Sequence, residues 1–241
     1  MMPFLNRTTF TLLLALLSGN VSAIGEEEIK LNEVPYGIEA LAQYRSDYRY
    51  RGFSLADDTL EFQLSSLYAL SNHSSIQAAA WYNSATGDGD FTESGLMAGL
   101  HHQIQKFQIG ASLSYRDYQN SLFESGVNAE LLAGWGFNDS ITFTLRGSYD
   151  TGAKGWYSDL AGNYLIPLGS SSYLDLKLGL SAVSDYYSRN GLNDFFATLE
   201  YTYNINNSIS LTPYIGNSTL LDNNDTGKDS FHGGVFFAVS F

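Results

Sequence analysis

Arg45, Asp47, Arg49 and Arg51 occupy alternate positions of one short stretch, so an extended chain there carries four charges along one face. Glu61, Arg116, Glu130, Arg146, Asp159, Lys177 and Glu200 lie further along, each inside a segment whose alternate residues are apolar. Fixed charges of both signs, aimed into an aqueous lumen, tune which ions and polar solutes pass. The same set can instead interlock as ion pairs that fill the space and leave no through path. These eleven side chains are the candidate lining residues.

Other chemistry is thinly supplied. Of four histidines, His73, His101 and His102 fall at turns, and His232 lies two residues after Ser230 on the same strand face. A serine and a histidine alone make a weak hydrolase signal, because nucleophile and base need a third group to orient them. The run Asp222-Asn223-Asn224-Asp225-Thr226-Gly227 has the start of a calcium loop, but Gly233 stands where the bidentate Glu would be. An acidic, solvated loop accounts for it better. Gly87-Asp88-Gly89-Asp90 is a turn. No cofactor and no metal site is implied.

The elements that must position the charges are strands. From Tyr36 to Phe241 the chain is a succession of period-2 segments separated by turn residues, twelve in all. In the first, Tyr36, Ile38, Ala40, Ala42, Tyr44, Tyr48 and Tyr50 share the apolar face, opposite Glu39, Gln43, Arg45, Asp47, Arg49 and Arg51. Later segments repeat the design, as in Leu174, Leu176, Leu178 and Leu180 against Asp175, Lys177 and Ser181. Inward acids also include Glu93, Glu124 and Asp194, and bulky inward residues are Trp81, Tyr157, Phe196, Tyr214 and Phe236. Connections after even-numbered strands are tight. Those after odd-numbered strands are mostly longer, Ser84–Thr92, Asp185–Asn193 and Asn217–Ser230 most of all, and they carry Asp57, Asp58, Asp88, Asp90, Asp222, Asp225 and Asp229.

A soluble sandwich also alternates, with its apolar face buried. Three features favour a lipid-facing exterior. The apolar faces hold one charge, Asp117 at a strand end. Tyr and Trp gather near both ends of those faces, Tyr48, Tyr50, Tyr82, Tyr115, Tyr149 and Trp156 at one and Tyr36, Trp135, Tyr164 and Tyr203 at the other. Sustained short-turn, long-loop alternation is the habit of outer-membrane barrels. The fold expected is therefore all-β: a transmembrane antiparallel up-and-down β-barrel of about 12 strands, closed so that no backbone edge meets hydrocarbon. The last strand, Phe231–Phe241, ends on a bare aromatic, like the C-terminal strand of bacterial outer-membrane barrels.

The N-terminus sets the compartment. One basic residue, Arg7, precedes a short apolar run, Thr8 to Leu17, and Val21-Ser22-Ala23 offers small residues for cleavage. Residues 1–23 are expected to be a signal peptide, 24–35 a periplasmic lead-in and 36–241 the barrel. The chain lacks cysteine, and a net charge of −13 argues against nucleic acid as a partner.

The stretch Ser46-Asp47-Tyr48-Arg49-Tyr50-Arg51-Gly52-Phe53-Ser54 resembles the S-D-Y-x-x-R-G-x-S opening of the TorF-type porins of proteobacteria, with Arg51 at the family's arginine. The match covers one strand and its loop. Beyond it the likeness lies in the leader, the length, the short strands and the terminal Phe. The resemblance implies an outer-membrane barrel with channel activity and leaves the solute open. The function expected is passive diffusion of small hydrophilic solutes or ions, mildly favouring cations. The alternatives are a non-conducting adhesin-like barrel and a lipid-modifying enzyme. Expected partners are outer-membrane lipid and lipopolysaccharide, the passing solute, and the outer-membrane assembly machinery, engaged through the strand ending at Phe241.

Overall fold

The computed structural model describes residues 36–87, 89–221 and 230–241, without the Ser230 side chain. The leader, the lead-in, Asp88 and the acidic run 222–229 lie outside the described residues. Twelve strands follow in chain order: β1 (Tyr36–Tyr50), β2 (Phe53–Ser71), β3 (Ser74–Ala85), β4 (Thr92–Ile104), β5 (Phe107–Gln119), β6 (Gly126–Gly136), β7 (Ile141–Asp150), β8 (Gly155–Pro167), β9 (Ser172–Tyr186), β10 (Arg189–Asn204), β11 (Ile209–Leu220) and β12 (Ser230–Ser240). Each pairs antiparallel with its sequence neighbours, and β12 returns to β1 to close the barrel. Closure runs from Glu39↔Ser240 to Arg45↔Gly234. Beyond that ladder the Phe241 amide donates to the Ile38 carbonyl at 2.9 Å.

Solvent exposure is inverted relative to a water-soluble barrel. Leu131 on the outer face is 67 % exposed, whereas Glu93 inside is wholly covered. Leu64, Leu96, Leu113, Leu145 and Leu160 join Leu131 in an apolar exterior, and Tyr68, Trp135, Tyr164 and Tyr203 ring one end of it. Tyr82, Tyr115 and Trp156 stand at the other. Burying charge while displaying leucine is unfavourable in water and favourable in hydrocarbon, where the strand ladders also satisfy the backbone.

Bulky inward side chains lie flat along the wall because glycines on the adjacent strand make room. A Cβ at Gly95 would come within 2.1 Å of the Trp81 ring, one at Gly179 within 2.2 Å of Phe196, and one at Gly216 within 2.6 Å of His232. The width these residues would otherwise take from the bore is thereby largely returned.

Three expectations are corrected. First, Tyr48 and Tyr50 do not face lipid. They lie beyond Arg45, where β1 parts from β12 and bends over the mouth, so that both faces of the strand end are covered. Second, two of the long outer connections are tight turns. β1 and β2 are joined by Arg51-Gly52 alone, with Asp57 and Asp58 inside β2, and β9 and β10 are joined by Tyr187-Ser188. Positive φ at Arg51, Gly52, Tyr187 and Ser188 makes such short reversals feasible. Third, Glu124 is an exposed residue of the β5–β6 loop and not an inward one.

Candidate functional site: a capped, charge-lined lumen

The strand pleat aims every second side chain into the lumen, where a cavity of about 250 Å3 lies. Arg45, Asp47, Arg49, Arg51, Glu61, Arg116, Glu130, Arg146, Asp159, Lys177 and Glu200 all border it. Their signs alternate around the wall. Arg45 on β1 pairs with Glu61 on β2 at 3.1 Å, and Glu93 on β4 pairs with Arg116 on β5. Arg146 on β7 stands 3.8 Å from Glu130 on β6 and 3.5 Å from Asp159 on β8. Lys177 on β9 and Glu200 on β10 continue the series, with the Lys177 ammonium 5.9 Å from the centroid of the Phe196 ring. Opposite charges on adjacent strands partly repay the desolvation each one suffers. Positive and negative groups are therefore not segregated on opposite walls.

Glu93 is the hub of this ring. Its carboxylate accepts from Trp81 Nε1 at 2.7 Å, from the Tyr48 hydroxyl at 2.5 Å and from Arg116. The Arg116 guanidinium also lies 4.7 Å from the Trp81 ring centroid. Toward the turn end Leu41 packs with Tyr214 and Phe236, whose rings stack at 5.0 Å.

At the opposite end the tip of the β1–β2 hairpin leaves the wall. Pairing of β1 with β12 ends at Arg45, and pairing of β2 with β3 ends at Thr59. Among the described residues, 46–58 form ladder pairs only with each other, and they bend across the mouth. Arg51 reaches the far wall, where Nη2 donates to Asn128 Oδ1 and to Ser148 Oγ, both at 2.7 Å. Its Nη1 donates to the Tyr186 hydroxyl at 3.0 Å and lies 3.6 Å from Asp150 Oδ2. Asn193 Nδ2 donates to the Arg51 carbonyl at 3.0 Å. Gly52 follows at φ +79°, so close that a Cβ would meet Asn193 Nδ2 at 2.6 Å. Only glycine suits both that backbone and that approach.

An aromatic cluster covers the tip. Phe123 from the β5–β6 loop packs with Tyr157, Val183 and Tyr186, joined by Tyr50, Phe53, Tyr118 and Tyr187. Phe123 and Tyr187 stack at 4.0 Å, and the Arg189 guanidinium sits 3.5 Å from the Phe53 centroid. Tyr187, in the turn beyond the strands, has its hydroxyl pushed up to about 12 by burial. This cap went unforeseen because its parts are distant in sequence. The one local sign was the density of Tyr, Phe and Arg in residues 48–53.

Of the remaining candidates, His232 lies against Gly216, and its ring is 6.3 Å from that of Tyr214. The calcium-like run lies outside the described residues, among which no cluster of three His, Asp or Glu could hold a metal. A different pair does form at the turn end, where Ser74 Oγ and His102 Nδ1 are 2.8 Å apart on the outer surface. It is a cross-strand rim contact.

A closed barrel of antiparallel strands, apolar outside and charged within, is the architecture of outer-membrane β-barrels. Solved structures share this fold. A COG4313 outer membrane channel from Pseudomonas putida F1 matches with TM-score 0.58 at 12 % identity, over 92 % of this chain and 99 % of that one. The KdgM porin matches with TM-score 0.55 at 11 % identity, over 85 % and 99 %. The NanC porin follows with TM-score 0.54 at 12 % identity, over 85 % and 98 %. No protein-family model and no curated protein matches the chain.

Proposed function

We propose that this chain is a porin-type channel of the outer membrane that lets small hydrophilic solutes or ions diffuse along its charged lumen. The observation that carries the reading is the ring of alternating charges around a cavity inside a lipid-facing barrel. A packed core would have no use for eleven charged-type side chains around one cavity, whereas a hydrated conduit uses them to admit polar solutes. Kinship with the TorF-type porins, a cleaved signal peptide and recognition of the Phe241 strand by assembly machinery belong to the same proposal. One KdgM structure is described as a complex with disordered oligogalacturonate, an acidic carbohydrate. Here each lumen arginine of the ring already has a carboxylate beside it, which suits small neutral or cationic solutes better than polyanions.

Planar-bilayer recording from the purified, refolded chain is expected to give discrete conductance steps, with matching liposome swelling in small sugars. Absence of both, in this chain and in one with residues 48–55 replaced by a Gly-Ser turn, overturns the reading. A second reading, a non-conducting barrel, is favoured by the capped mouth, and that outcome would support it.

A further inference from the structure

We infer that the tip of the β1–β2 hairpin, residues 46–58, is a hinged lid over the outer mouth, with Arg51 as its clasp. The inference rests on the channel reading and adds a moving part to it. Four observations carry it.

Among the described residues the tip has no ladder pairing with the wall on either edge. A strand pair anchored in a barrel has ladder bonds on each outer edge, and here β12 stops at Arg45 and β3 at Thr59. A few bonds remain at the two exits: Gly233 N donates to Ser46 Oγ at 3.0 Å, Thr86 N and Oγ1 donate to the Asp58 carbonyl at 2.7 Å and 3.0 Å, and the Tyr44 hydroxyl donates to Asp58 Oδ1. These are hinge points, and the adjoining irregularities suit them. The register shift lies at Tyr48/Arg49, and Asp58 has φ +28°. Backbone that departs from the ladder can rotate without breaking the wall.

Inside, the tip is stiffened as one body. Arg49 Nε bonds Asp47 Oδ2 at 2.8 Å and Ser54 Oγ bonds Asp47 Oδ1 at 2.7 Å. A swing would therefore move it as a unit.

Its hold on the far wall is concentrated in few polar contacts. Arg51 makes three hydrogen bonds to β6, β7 and β9 and one ion pair to β7, and Arg189 and Asn193 grip the backbone of Arg51 and Gly52. Charge-assisted bonds of this kind are strong individually and can be released together.

The surfaces that separate on opening are mostly aromatic rings. Phe53 meets Phe123 at 5.2 Å and Tyr187 at 6.1 Å, edge to face. Rings in these arrangements part readily, and the one tip-to-wall bond to the Glu93 carboxylate, from the Tyr48 hydroxyl, leaves Glu93 still held by Trp81 and Arg116. With the lid down, Arg51 crosses the lumen axis above the cavity, so a solute entering from outside meets the tip first.

The test is single-channel recording from the full mature chain and its variants. Arg51→Ala removes the clasp and is expected to raise the open-time fraction about tenfold, the scale set by loss of a charge-assisted contact network. Because Arg51→Ala can impair folding, a second protein checks closure within one molecule. The chain has no cysteine, so Phe53→Cys with Phe123→Cys can be bridged by a short bis-methanethiosulfonate reagent. Bridging is expected to suppress conductance, and reductant to restore it. Conductance that is the same for the parent and Arg51→Ala, and insensitive to bridging, overturns the lid while leaving the channel intact. Silence in every protein, the tip-shortened chain included, overturns the channel reading itself.

Discussion

Gly179 shows how much of this lumen depends on what is missing from a residue. The Phe196 ring fills the space its Cβ would take, and Lys177 sits over that ring. Gly179→Ala therefore pushes an aromatic side chain into the bore and costs about 1–3 kcal/mol through overpacking. The expected outcome is a lower unfolding temperature by heat-modified gel mobility, together with reduced conductance. Pairing it with Phe196→Ala should recover both, and purely additive effects would count against the contact. Inward and outward positions were readable wherever alternation ran unbroken, which placed Lys177 and Phe196 inside together. Their arrangement on the wall was not, since it depends on which glycine lies across the ladder.

At the scale of elements, most strands follow their alternation, while the β1–β2 hairpin and the start of β10 depart from it. The tip of β1 illustrates the limit of pattern reading. Tyr44, Tyr48 and Tyr50 keep the same parity, yet Tyr44 stays outside and the other two are covered, because the strand leaves the wall after Arg45 and bends over the mouth, which composition does not reveal. Tyr186-Tyr187-Ser188-Arg189 likewise looked like loop, since left-handed backbone at two non-glycine residues is uncommon. The aromatic cap built from these two turns should respond to alkali. Burial raises the Tyr187 hydroxyl to about 12, so the folded state prefers its neutral form. That contribution to cap stability is complete below the ordinary tyrosine value near 10 and is lost as pH rises toward 12. Asp150, Glu124 and Tyr50 lie near enough to disfavour the phenolate further. Conductance is expected to increase between about pH 10 and 12 by loosening of the cap. A Tyr187→Phe chain whose alkaline response is unchanged would remove Tyr187 from the account.

For the molecule as a whole, charge decides what the barrel prefers. Beyond the arginine-centred ion pairs, the lumen keeps Asp175, Asp194 and Glu200, with Lys177 as a further cation among the described residues. A lumen with acidic excess concentrates cations, though interspersed signs keep the bias mild. Reversal potentials in a potassium chloride gradient should show a modest cation preference that weakens in Asp175→Asn; an anion preference would sink the idea. The overall architecture was legible because a membrane barrel writes its exterior onto half of every strand. The capped mouth was not, because it is assembled from segments more than a hundred residues apart, as Arg51 and Tyr186 are.

The flat rings on their glycines also bear on how such a barrel can diverge. Trp81 with Gly95, Phe196 with Gly179, and His232 with Gly216 are each two positions that cannot change alone. A larger residue at the glycine has nowhere to go, and a smaller one at the ring uncovers a hollow. Among descendants of this sequence each couple should be inherited as a unit, retained together or replaced together, while the outward leucines between them drift freely from one aliphatic to another.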